Sequence, residues 1–496
     1  TTTGGGAATF IGADFSIDGA ISVGAGNISI AESTSGTTMG LGTATGSILT
    51  DSEFDNITTT GTLTIGQATT KGSDGAGTSA STLTSGAITF DELTLGSKKV
   101  ALISNSTVND DDDTGTSLTT SGTLTLTSSG NIGDSGGSQG LDLDVGTLSI
   151  TGTGSGNVIL TEASTLLLGA TTIGGTFSAT ATTGDITDSG ALAITGAATF
   201  ITGATGSNII LDGSSNAFGA AVTMTADDGT EAFGNITFVD SAAIDLDSSA
   251  SANGDLFINA GTDGALSGNL SVTATTGNIT QNIALTIGGT SSFTTSASNA
   301  TITLSTDSNA FTGAVSAVTA GTSGDVTIDN GTTALNIGTL TANGDLSIRG
   351  GNGITDSGVI TVAGTSLFHS DVSGQVITLD SANAMTGAVS ITHTGSANVA
   401  IDNGTTALNL GTVSAGQNFE ARSGGGITDS GVITVNGTSL FHSDVAGQVI
   451  TLDSTNAMTG AVSITHSGSA NVAIDNGTTA LNLGTVSAGQ NFEARS

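Results

Sequence analysis

The sequence predicts an all-β fold, a right-handed parallel β-helix with coils of about 18–19 residues each. Three observations carry that expectation: short apolar runs of period two, a complete lack of proline, and one motif recurring along the chain. Alternating apolar residues are the mark of a half-buried strand. They occur at Val389-Ser390-Ile391, Val399-Ala400-Ile401, Leu408-Asn409-Leu410 and Phe419-Glu420-Ala421, each bounded by Gly, Asn or Ser. No stretch carries a capped stripe of helical period. Among the 42 acids, 35 are Asp and 7 are Glu, which favours turns over helices because a short carboxylate bonds nearby backbone amides. Proline would remove a donor from a ladder in which every strand bonds the coil beside it.

The repeats set the architecture. Residues 354–423 and 427–496 superpose at an offset of 73, differing only at Ala363/Asn436, Ser373/Ala446, Ala382/Thr455 and Thr394/Ser467. An older copy begins at Ile279, and still older segments surround Ile186 and Ile132, the latter with Asp134-Ser135-Gly136. Successive marker isoleucines, at 132, 186, 279, 354 and 427, follow one another at intervals of 54, 93, 75 and 73. Divided into 3, 5, 4 and 4 units, every interval gives about 18–19 residues per unit, the basis of the coil length. Each coil then holds three strands of four to five residues joined by short turns. Stacking at about 4.8 Å makes roughly 27 coils a rod on the order of 130 Å long. Right-handed crossovers are the rule for parallel connections.

The chain reads as one continuous solenoid, residues 1–496. Residues 1–131 are the more diverged coils, 132–353 diverged repeats, and 354–426 and 427–496 the near-identical copies. Ser496 is equivalent to Ser423, after which the other copy continues, so the array reads as an excerpt of a longer one with open sheet edges at its ends. Inward positions are Val, Ile, Leu and Ala, with Phe368 and Phe441 expected as stacked equivalents. Asp-Asn-Gly at 402–404 and 475–477 marks corners that need positive φ.

Composition excludes several functions. With no cysteine there is no disulfide, thiolate metal site or thiol nucleophile. Six cations against 42 acids cannot neutralise a nucleic-acid backbone. No apolar run approaches a membrane span. The net charge of −36 reads as a solvated coat.

The candidate site residues each meet a simpler reading. The step from His369 to His393, copied from His442 to His466, is not a whole number of such coils, so these histidines read as surface or turn residues on separate ladders. Arg349, Arg422 and Arg495 occupy one equivalent position, the latter two beside Glu420 and Glu493, and read as exposed ion pairs worth under about 1 kcal/mol. The run Asn109-Asp110-Asp111-Asp112-Asp113 lacks the spacing of known calcium loops and reads as solvated, with weak Ca²⁺ binding as the minority alternative. No catalytic, cofactor-binding or metal residue is assigned. Regular coils, with no Trp or Tyr and few cations, argue against a polysaccharide-active enzyme. Thr-x-Thr runs such as Thr123-Leu124-Thr125 lapse too soon for an ice-binding face.

Three motifs carry a family resemblance: Gly-Ile-Thr-Asp-Ser-Gly-x-Ile-Thr-Val at 353–362 and 426–435, Asn-Ala-Met-Thr-Gly-Ala-Val-Ser-Ile at 383–391, and Ala-Leu-Asn-Leu-Gly-Thr-Val at 407–413. They resemble the repeats of filamentous-haemagglutinin-like adhesins of two-partner secretion and of autotransporter passengers. The resemblance covers most of the chain from about Ile132, without the family's N-terminal secretion domain. It implies a right-handed β-helical shaft exported to the bacterial cell surface, with roles in adhesion, biofilm or surface coating and contact with surface glycans. The expected function is a non-enzymatic extracellular stalk; the alternative is a self-assembling fibre, sheath or matrix subunit whose partners are further copies of itself.

Overall fold

The computed structural model describes residues 1–496 except 1–4, 71–80, 112–114, 134–139, 153, 227–233, 248–254, 259–265 and 394. Asp134-Ser135-Gly136 of the oldest motif copy, Asp112, Asp113 and Thr394 therefore lie outside the described residues. Among the described residues the chain is built of short strands, with one five-residue helix, Asp51–Asp55. The fold is a parallel β-helix, and it forms two compact units: Thr1–Ser241 with Ser249–Asp263, and Ala242–Ser248 with Gly264–Ser496.

In the first unit, one ladder stacks Val158, Phe177, Ala198, Val222 and Leu256, and a second stacks Leu166, Ile186, Ile209 and Ile236. Each strand buries alternate residues, so stacked strands line the interior with one apolar row. Phe177, Phe200, Phe218 and Phe238 form a chain of rings with centroids 5.1 to 6.2 Å apart. Tilted and edge-on contacts of this kind suit the aromatic quadrupole. The strands Gln67–Thr69 and Thr82–Thr84 depart from the pattern and pair antiparallel.

The second unit shows how the repeat maps onto coils. A first ladder runs Leu335, Ile354, Ile377, Val399, Phe419, Ser439, Val462, Leu483. A second runs Ile279, Ile302, Val326, Leu346, Ser366, Val389, Leu410, and its strand Leu408–Ala415 continues to Ile427, Ile450, Val472 and Phe492. Starting at Ile354, three coils reach Phe419 and the fourth reaches Ser439. Ile427 falls between them, on the other ladder. A copy is therefore three and a half coils, and its offset of 73 corresponds to roughly 21 residues per coil.

This corrects the shorter coil expected from the sequence. Two other marker intervals behave alike: Ile279 and Ile354 lie on different ladders, as do Ile132 and Ile186. Assuming whole numbers of coils made each coil too short. Either sheet accepts the same marker motif, because both demand the same inward-outward alternation. It follows that Phe368 and Phe441 are not stacked. Phe368 lies between Ile348 and Ile391 in the second ladder, and Phe441 between Ala421 and Ile464 in the first. Both are fully buried, and the ring that Phe441 meets is Phe419, at 5.7 Å.

A third strand position lies at the edges between the two ladders. One such row is Leu340, Ile360 and, through Thr361, Ala384; its twin is Val413, Ile433 and, through Thr434, Ala457. In one copy this row sits where the chain passes from the first ladder to the second. In the next copy it sits at the opposite edge. The repeat is thus turned over from copy to copy.

Candidate functional site

Polar groups of the recurring motifs finish the ladders. At Asp402-Asn403-Gly404 the chain turns where the next edge strand is due. Gly404 adopts φ +54°, and its N–H donates to Asp402 Oδ1 at 2.8 Å. Asn403, fully buried, supplies the missing rung with its side chain. Its Oδ1 accepts from Met385 N–H at 2.8 Å, and its Nδ2 donates to the Met385 carbonyl at 2.9 Å and the Ala407 carbonyl at 3.0 Å. Asn476 does the same for Met458, and Asn330 for Phe311. An amide carries the donor and acceptor of a peptide group, so it satisfies both strand atoms that the turn would orphan.

The Ile-Thr-Asp marker works similarly. Asp356 accepts from Asn383 Nδ2 at 2.7 Å and from the N–H of Asp380 at 2.9 Å, while Asn383 Oδ1 accepts from Ile360 N–H at 2.8 Å. Asp429 with Asn456 and Asp188 with Asn216 repeat the clip. Burial raises the carboxyls of Asp356 and Asp429 above the ordinary aspartate range, against the pull of these donors. The sequence marks Asp402-Asn403-Gly404 as a corner only, and Asp356 and Asn383 only as parts of repeated motifs. The signal for more was the Asn following each marker on the next coil.

The structure brings together arginine and histidine positions that sequence reading kept apart. Asp329, Arg349, His369 and Thr392 are consecutive rungs of one row. Arg349 pairs with Asp371 at 2.7 Å and with Asp329 at 3.7 Å. His369 holds Asp371 Oδ1 with Nε2 at 2.8 Å and Thr392 Oγ1 with Nδ1 at 2.6 Å. Burial alone would raise the Asp371 carboxyl; Arg349 and His369 outweigh it and hold it below the usual range. In the next copy, Arg422 stands 3.8 Å from Glu420 and 3.8 Å from Asp444, and His442 bonds Asp444 at 2.7 Å. Arg495 pairs with Glu493. Because the repeat turns over, the Arg349 and Arg422 rows lie on different ladders.

His369 and His393 lie on adjacent strands of one ladder, contrary to expectation. The register pairs Ser370 with His393, so one ring faces out and the other in. His393 and His466 are buried rather than superficial, and their Nε2 atoms accept from Gly416 N–H at 2.9 Å and Gly489 N–H at 3.0 Å.

The acid run resolves into distinct roles. Asp110 is raised by burial and accepts from Asp142 N–H at 3.0 Å, whereas Asp111 accepts from Thr45 N–H and Oγ1–H and is thereby lowered. Asp110 is thus half-buried rather than solvated, while Asp111 stays exposed, as expected, and is held by Thr45. One acid not singled out in the sequence is more deeply placed. Glu162 is fully buried, and burial pushes its carboxyl up to about 8. Its Oε1 accepts from Val145 N–H at 3.1 Å and lies 3.2 Å from Ser164 Oγ, which also bonds Asp144 Oδ1 at 2.9 Å. Among the described residues, no three His, Asp or Glu side chains group as metal ligands, and no helix is long and apolar enough to cross a membrane.

Against this geometry, a model of repeats of unknown function, DUF5649, matches residues 155–225, 233–318, 323–392 and 396–465, more than half of the chain. The chain belongs to this repeat family. The last two matches begin at 323 and 396, which is the offset of the turned-over copies. No curated protein and no solved structure matches the chain.

Proposed function

We propose that this repeat chain is a non-enzymatic, extracellular structural element, the stalk or filament of a large bacterial surface adhesin. One observation carries the reading: the buried polar residues that recur from copy to copy are spent on closing ladders. Asn403, Asp356, Asn383 and His393 all bond backbone or each other, and Arg349 with His369 ties neighbouring coils. Each coil contacts its neighbours alone, so copies can be added without disturbing a site. The −36 charge keeps such a chain solvated, and bound Ca²⁺ or surface glycans would act on that coat.

The test is electron microscopy of chains carrying different numbers of the repeated copy. Contour length should grow by about 17 Å per copy at constant width, three and a half coils at about 4.8 Å each. Length that fails to track copy number, or depolymerisation of a glycan by the purified chain, would overturn the proposal.

A second reading, a self-assembling sheath or matrix subunit, is favoured by Val372 and Val376 at one edge and Val445 and Val449 at the other, all about two-fifths exposed. Isolated apolar side chains of this kind are ordinary on a surface, but here both edges carry them. Lateral sheets that form with rising concentration would support this reading; isolated filaments would support the stalk.

A further inference from the structure

We infer that, among the described Asn-Gly pairs, Asn352 is the one at which the folded chain deamidates, the others being locked by the fold. Asn-Gly is the dipeptide most prone to this chemistry, because glycine leaves the following amide nitrogen unhindered. That nitrogen attacks the Asn Cγ and expels ammonia, closing a succinimide. Water then opens the ring to aspartate or isoaspartate. No other reactant is needed, and the step requires a free glycine N–H and a mobile Asn amide.

Six Asn-Gly pairs lie among the described residues: 330–331, 343–344, 352–353, 403–404, 436–437 and 476–477. Five have the nitrogen engaged. Gly331, Gly404 and Gly477 donate to Asp329, Asp402 and Asp475 Oδ1 at 2.9, 2.8 and 2.8 Å. Gly344 donates to the Gly324 carbonyl at 2.8 Å, and Gly437 to the Gln417 carbonyl at 2.9 Å. In four of these pairs the Asn amide is held as well: Asn330, Asn403 and Asn476 serve as rungs, and Asn343 Nδ2 donates to the Thr319 carbonyl at 2.6 Å.

Gly353 differs. Its N–H has no acceptor among the described residues, although its carbonyl accepts from Leu335 N–H at 3.0 Å. Asn352 is exposed, and no hydrogen bond from a described residue holds its side chain. The pair sits in the corner between the strands Leu346–Arg349 and Ile354–Asp356. Isoaspartate there lengthens the backbone by one methylene and adds a carboxylate immediately before the marker strand. The equivalent corner of the next copy is Gly424-Gly425-Gly426, which has no amide to lose.

The test is to age the folded chain in mildly alkaline buffer and locate aspartate and isoaspartate by peptide mass spectrometry. Conversion at Asn352 should run about tenfold or more faster than at each of the other five, since each locked pair must first break a ladder or turn hydrogen bond. Asn352→Gly should remove the fast phase and leave circular dichroism unchanged. In denaturant the pairs should convert at similar rates. Faster conversion at any other described pair in the folded chain, or the same ranking in the unfolded chain, would overturn the inference.

Discussion

Residues 354–423 and 427–496 are nearly the same sequence, yet they complete different parts of the molecule. In the first copy, Leu410 is fully buried and Phe419 is 1% exposed, because the strands of Ile427 and Ser439 stack on them. Their twins Leu483 and Phe492 are 42% and 39% exposed, with no further coil stacked on them in the described chain. A coil does not own its core. It lends one half to each neighbour, so burial is a property of the stack rather than of the sequence segment.

That contrast breaks most sharply on the phenylalanines. Phe419→Ala should cost about 3–5 kcal/mol, the usual penalty for emptying a packed aromatic site. In a chain limited to residues 1–496, where Phe492 is exposed, Phe492→Ala should cost less than about 1 kcal/mol. Urea melts, with hydrogen exchange to localise the effect, decide it; equal costs would mean the coils are not coupled as described.

A smaller loss is expected from the edge. Asn403→Ala strips both Met385 backbone atoms of their partner and should cost about 2–3 kcal/mol, because buried polar groups are left unpaired. Asn476→Ala should match it within error, since the two Asn make the same bonds on opposite edges. A large asymmetry in the same melts would show that the two edges are not equivalent.

Outside the copies, Glu162 offers a pH test. Unfolded, the glutamate has the ordinary value of 4.5; folded, it is raised to about 8. Between those values the folded chain retains a proton that the unfolded chain has lost. Folding therefore takes up protons, and this contribution to stability is complete below 4.5 and falls as pH rises toward 8. Glu162→Gln should flatten that decline and stabilise the chain at the alkaline end, read as urea midpoints across the pH range. An unchanged slope would place the titration elsewhere.

Much was legible because local rules and global fold agree. Period-two alternation, the absence of proline and the Asp-Asn-Gly corners each report a backbone requirement that acts within a few residues. The polar contacts were less so. Arg349 and His369 meet because their separation equals the coil that carries Leu346 to Ser366. Other coils differ: one carries Leu335 to Ile354, a shorter step, and another carries Ser366 to Val389, a longer one. Coil length varies with the corners, so no fixed period predicts which side chains share a row. The separation of His369 and His393 misled for the same reason, since the register there sets His393 beside Ser370 and leaves the two rings just out of step.

By itself the sequence determined the class of fold, the repeat and the preference of each short strand for one buried face, since these depend on composition and nearest neighbours along the chain. Only the tertiary structure decided that a copy spans three and a half coils, that Asn403 stands in for a strand and that Arg349 reaches Asp371. Those facts depend on how the turns add up around the coil, a sum over distant residues that alternation cannot convey.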